Sequence, residues 1–190
     1  AWVVVVFGQR YGFVLTLILF TIGSFVAGFA ESFDMLVAGR VMQGAATGVI
    51  QPLVMVTVFQ VFPQDRRGFA MGVYSMGLVL AVAMGPPVGG LALEVLSWRY
   101  IFWLPLPMVL LALPLGLIFL PSVRQDAKQP FDWIGFTLIA VTLFCIMTIL
   151  TDGPRKGWGS DYIIGLILLG TATGIGFVKS QRRSGATLVD

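Results

Sequence analysis

The sequence predicts an all-α fold, a polytopic transmembrane helix bundle. Composition comes first: of 190 residues, 57% are hydrophobic and 11% charged, with a mean hydropathy of +0.93. A soluble domain carries about 25% charged residues. Charge placement comes second, because the few charges divide the chain into apolar runs, and a helix crosses a bilayer with about 20 such residues. The run between Arg67 and Glu94 is the clearest, 26 residues with no charge at all. The third is that further apolar runs follow to the end of the chain without a cleavage site, which excludes a secreted domain behind a signal peptide.

Taken in order, the opening AWVVVVF is too short to span and reads as the tail of an earlier helix, with the chain from Ala1 as a fragment of something longer. Candidate spans follow at about 13–30, 35–61, 69–94, 100–120, 133–151 and 161–179. The breaks AESFD, FPQDRRG, LSWR, PSVRQDAKQPFD and TDGPRKGWGSD carry turn chemistry and are short, so successive spans run antiparallel. Alternate breaks sort the cations. One side holds Arg10, Arg66, Arg67, Arg124, Lys128, Lys179, Arg182 and Arg183, the other Arg99, Arg155 and Lys156. The positive-inside rule places the first group in the cytoplasm, giving a multi-pass protein of the plasma (inner) membrane. Trp98, Trp103, Trp133 and Trp158 fall near span ends, as interfacial belts require.

The net charge of +3 therefore reflects topology, and no nucleic-acid partner is implied. Histidine is absent and Cys145 is the single cysteine, so no metal site, disulfide or cofactor is expected and an enzyme is disfavoured. No glycine loop is followed by the Lys-Ser/Thr of a phosphate loop.

One charge lies inside a span. Arg40 is followed by Gln43, Thr47 and Gln51 at offsets of three, seven and eleven, which share one helical face. Lipid cannot satisfy those groups, so protein or water lies opposite them. Either the stripe lines a water-filled path or cavity, or Arg40 snorkels to the interface near Glu31 or Asp34 while the amides and hydroxyl join helices. In the next span Gly77, Ala81, Gly85 and Gly89 recur every four residues, a groove for close helix approach, with Gly90 off that line. Pro86 and Pro87 remove backbone donors there and predict a bend. A packing seam and a plain structural kink both fit that pattern.

Three stretches together resemble one family, the major facilitator superfamily, and within it the fourteen-span drug:proton antiporters of the EmrB/QacA type. LVAGRVMQGAATGVIQP is similar to that family's motif B, with Arg40, Gln43 and Gly44 on its marked positions; MGPPVGG resembles the antiporter motif C; SWRYIFWLPLP resembles the segment opening the sixth helix. Ala81 stands where motif C usually has glycine, and Pro105 where the sixth-helix segment commonly has Asn. FGQRYGF resembles a motif A remnant that keeps Arg10 and Gly12, with Gln9 at the usual Asp position and Phe13 at a usual basic one.

The resemblance implies two domains. Residues 1–120 would be part of the amino-terminal bundle, from the end of helix 2 through helix 6; residues 121–190 would be the inserted helices 7 and 8 and the start of a linker. It also implies proton-coupled export of drugs or other lipophilic, cationic small molecules, with protons and the lipid bilayer as further partners. Arg40, Gln43, Thr47 and Gln51 would serve proton coupling and the cavity, Gly77 to Gly90 the antiporter seam, and Arg10 and Gly12 a gating loop. Apart from Arg40 no complete run carries a charge near its middle, so the proton-carrying carboxylate is expected in helix 1, outside this sequence. The alternatives are a facilitative or metabolite-specific transporter of the same fold and a non-transporting structural membrane protein.

Overall fold

The computed structural model describes residues 2–120 and 131–183. These residues are helical with short connections and contain no strand. The helices are α1 (Trp2–Gly28), α2 (Phe33–Val61), α3 (Gln64–Val95), α4 (Tyr100–Trp103), α5 (Leu106–Phe119), α6 (Trp133–Lys156) and α7 (Asp161–Arg183). Among the described residues six segments are long and apolar enough to cross a membrane: Val6–Gly28, Phe33–Val61, Gln64–Val95, Tyr100–Phe119, Trp133–Lys156 and Asp161–Arg182.

The chain divides into two compact units, Ala1–Ala127 and Lys128–Asp190. The division expected after residue 120 lies at the edge of 121–130, outside the described residues. In the first unit α1 and α2 form the densest pair, and α4 and α5 pack on α1. Glycine makes that closeness possible. A side chain at Gly39 would come within 2.6 Å of the Ala27 backbone nitrogen and 2.8 Å of the Gly23 carbonyl oxygen, and one at Gly23 within 2.9 Å of the Gly39 carbonyl oxygen. A ring takes the same role at Gly116 of α5, where Phe13 occupies the space a side chain would need.

Several ends differ from expectation, each for a local reason. Gly8, at φ 76° and ψ 168°, interrupts α1, a conformation L side chains rarely adopt, and separates the opening turns from the long helix beyond. The α3 helix starts at Gln64, ahead of the expected 69: Pro63 leads in with an extended backbone, and Asp65 falls in the first turn, where the helix dipole favours an acid. It also runs through Pro86 and Pro87 without losing its helical assignment. The span expected at 100–120 is divided at Leu104 and Pro105, because Pro105 cannot donate to the ladder. Both residues keep right-handed helical angles, so the span continues.

In the second unit α6 and α7 form an antiparallel pair. The Asp132 carboxylate caps α6 by accepting from the Gly135 nitrogen at 2.8 Å, and its other oxygen accepts from Gln181 Nε2 at 2.8 Å, joining the two helices at one end. Further along, the Thr142 and Thr173 hydroxyls share a hydrogen bond of 2.9 Å. Cys145, fully buried, packs where a side chain at Gly170 would approach its Cβ to 3.0 Å. The α6 helix extends beyond the expected 151, through TDGPRK. Arg155 and Lys156 suit its carboxyl end, Lys156 pairs with Asp152 at 3.0 Å, and Gly157 at φ 87° ends it.

Candidate functional site

The polar face of α2 looks onto a cavity of the first unit, about 690 Å³. Arg40, Gln43, Thr47 and Gln51 line it from successive turns, with Gly44 and Gly48 between them; Phe20 of α1, Ile101 and Phe102 of α4, and Pro105 complete the wall. Side chains at Gly44 and Gly48 would meet nothing within 4 Å, so these glycines leave room in the cavity and do not hold a helix contact.

Each polar group has a distinct setting. Gln43 is 7% exposed, and its Nε2 donates to the hydroxyl of fully buried Ser24 on α1 at 2.8 Å, which anchors the stripe to its neighbour. The amide oxygen of Gln43 is buried without a hydrogen-bond partner among the described residues. Thr47 Oγ1 donates to the Gln43 carbonyl oxygen at 2.8 Å, the common resting place of a hydroxyl inside a helix. Arg40 lies with its guanidinium carbon 4.5 Å from the centroid of the Phe102 ring. Among the described residues no carboxylate comes within 4.0 Å of Arg40, so a pairing with Glu31 or Asp34 is not what holds it. Seven residues into α2, it stands about 10 Å along the axis from the start of the helix, so an unpaired cation faces the cavity below the helix end.

The remaining predicted residues lie elsewhere. Gly77, Ala81, Gly85, Pro86 and Pro87 are exposed on α3, Gly89 and Gly90 half-buried, and side chains at any of the four glycines would meet nothing within 4 Å. The α3 helix touches α2 and α4 sparsely and buries only Ala92, so no described helix fills its small-residue groove. Arg10 donates through Nε to the Leu120 carbonyl oxygen at 2.9 Å, tying the turn after Gly8 to the end of α5. Gly12 is buried, and its carbonyl accepts from the Thr16 hydroxyl. Gln9, at the position where the motif usually has Asp, is 1% exposed and donates to Thr57 Oγ1 of α2 at 2.8 Å. A neutral pair therefore closes this end of α1 and α2.

Three participants escaped the reading of the sequence: Ser24, Phe102 and the Gly23–Gly39 contact. A signal existed for two of them. GSFVAG places Gly23 and Ser24 four residues ahead of Ala27 and Gly28, a small-residue face with a hydroxyl on it. Phe102 carries no comparable mark. No group of three or more potential metal ligands occurs among the described residues.

The family model of the Major Facilitator Superfamily matches residues 1–179. The lincomycin resistance protein LmrB of Listeria monocytogenes is 33% identical over 169 residues, covering 88% of this chain and 36% of that protein. Multidrug resistance protein 3 of Bacillus subtilis is 28% identical over 179 residues, 94% of this chain and 35% of that protein. The uncharacterized MFS-type transporter YhcA, also of Bacillus subtilis, is 27% identical over 190 residues, 100% of this chain and 36% of that protein. The chain spans about a third of the length of these curated relatives. With a family match across nearly its whole length and six membrane-length helices, the chain is a multi-pass membrane protein and belongs to the major facilitator superfamily.

Proposed function

We propose that this chain forms part of a secondary active transporter of the plasma membrane that exports lipophilic small molecules in exchange for protons. The observation that carries the reading is the cavity on α2, where Arg40 stands unpaired beside the polar groups of Gln43, Thr47 and Gln51. Relatives whose names denote lincomycin resistance and multidrug resistance support a drug-like cargo. In such transporters two bundles rock about a midplane site, and this chain supplies one wall of it. The glycine face of α3, open among the described residues, is the surface on which the other bundle closes.

Arg40 tunes the coupling. A positive charge about 8 Å from a carboxylate, at an effective dielectric of about 20, stabilises the ionised form by about 2 kcal/mol. The proton is then released at a lower pH than in its absence, and the carboxylate stays available to exchange proton for substrate. No acid lies in the cavity wall among the described residues, and that carboxylate comes from outside them.

The test uses the full-length protein in everted membrane vesicles, with ethidium or lincomycin as cargo and an imposed pH gradient. Transport is expected to collapse with the gradient, and Arg40→Ala to lower it about thirtyfold at equal abundance, the rate equivalent of about 2 kcal/mol. Arg40→Lys is expected to be impaired as well, since a compact ammonium does not reproduce the planar guanidinium. Transport indifferent to the gradient would remove proton coupling, and an unaffected Arg40→Ala would remove this role of Arg40.

A further inference from the structure

We infer that Phe102 is the positioning residue of the cavity cation, holding the Arg40 guanidinium by its ring face in place of a carboxylate. The inference rests on the proposed function only for what the charge is used for; the placement itself is geometric. The Arg40 guanidinium carbon sits 4.5 Å from the Phe102 centroid, and the ring is 5% exposed although it faces a cavity. Arg40 makes no ion pair and no hydrogen bond among the described residues, so the ring is its specific partner.

Phe102 is in turn held from behind. The Trp98 ring meets it edge-on, with centroids 6.0 Å apart and planes at 86°. The Arg99 guanidinium carbon lies 4.7 Å over Trp98, and Arg99 Nη2 donates to the Ala30 carbonyl oxygen at 3.3 Å, just beyond the end of α1. A continuous series of contacts thus runs from the connection after α1, through Arg99, Trp98 and Phe102, to Arg40. The choice of an aromatic partner has a chemical consequence. A carboxylate would neutralise Arg40, whereas the ring quadrupole fixes the cation and leaves its full charge to act on a third group.

The experiment reads Arg40 directly in the full-length protein. Membranes are treated with phenylglyoxal, and modification of Arg40 is quantified by peptide mass spectrometry relative to Arg67, which caps the far end of α2 through the Phe59 and Phe62 carbonyls and serves as an internal reference. Phe102→Leu is expected to raise the relative modification of Arg40 by about threefold to fivefold, the upper part of the range for a cation–π contact whose cation is exposed, as Arg40 is. Phe102→Tyr, which restores the ring face, should stay within about twofold of the unmodified protein, since its quadrupole is retained. Equal reactivity in Phe102→Leu and the unmodified protein would overturn the inference, as would Phe102→Tyr behaving like Phe102→Leu. If Phe102→Leu does not reach the membrane, Trp98→Leu takes its place. Loss of the edge contact should raise Arg40 modification in the same direction by a smaller factor, and no rise overturns the inference. If labelling responds as expected while export of every variant stays normal, the positioning stands and the coupling role of Arg40 falls.

Discussion

Replacing Gly39 by alanine tests what holds α1 to α2. The new methyl would lie 2.6 Å from the Ala27 nitrogen and 2.8 Å from both the Ala27 Cβ and the Gly23 carbonyl oxygen. Ordinary contact needs about 3.5 Å, so the two helices must separate by about 1 Å at this point. One turn further on, the Gln43–Ser24 hydrogen bond of 2.8 Å would lengthen past the limit at which it counts as a bond. Forced overpacking costs about 1–3 kcal/mol, and a lost interhelical hydrogen bond in a membrane protein adds about 0.6 kcal/mol. Alanine returns about 0.5–1 kcal/mol through its better helix propensity. The net expectation is a loss of about 1–3 kcal/mol. Unfolding of the full-length protein in detergent micelles by added sodium dodecyl sulfate, followed by circular dichroism, measures it. Gly48→Ala is the control, because nothing lies within 4 Å of the added methyl and only propensity changes. Equal stability of Gly39→Ala and Gly48→Ala would refute the close-contact argument.

Two further perturbations address other parts of the chain. Gly85→Leu on α3 should lower export by about tenfold or more at normal membrane abundance, equivalent to about 1.4 kcal/mol or more on the transport barrier; transport at the unmodified rate would show that the groove is not a closing surface. In a double-mutant cycle, Gln9→Leu and Thr57→Val should couple by about 0.6 kcal/mol and by no more than about 1.7 kcal/mol, the range of interhelical hydrogen bonds in membranes. Additive effects would mean that the 2.8 Å bond between them does not contribute.

The spans were legible in the sequence because charges and turn residues bound them, and a bilayer rewards uninterrupted apolar helix. Their ends were less so. The α3 and α6 helices extend into FPQDRRG and TDGPRK, where Asp65, Arg155 and Lys156 suit helix termini and keep the helix going through residues that read as turns. The stripe from Arg40 to Gln51 was legible as one face, since helical spacing fixes which residues share it. What lies opposite a face is not contained in spacing. The regular series from Gly77 to Gly89 meets no described helix, while Gly23 and Gly39, whose pairing no spacing within either span names, press backbone against backbone. Phe102 illustrates the same limit: one phenylalanine of 15 gains its meaning from a guanidinium 62 positions earlier in the chain.

Whether the polar face of α2 lines a water-filled transport path is read from single cysteines along that helix in the full-length protein, with Cys145 replaced. Cysteines at Thr47, Gly48 and Gln51 are expected to react with a hydrophilic maleimide and to be shielded by added substrate, because these positions line the cavity. Cysteines at Ala46 and Leu53, which are 0% and 1% exposed, are expected to stay unmodified. Labelling that ignores this division, or that substrate leaves unchanged at all three cavity positions, would mean that the polar face of α2 does not line the path.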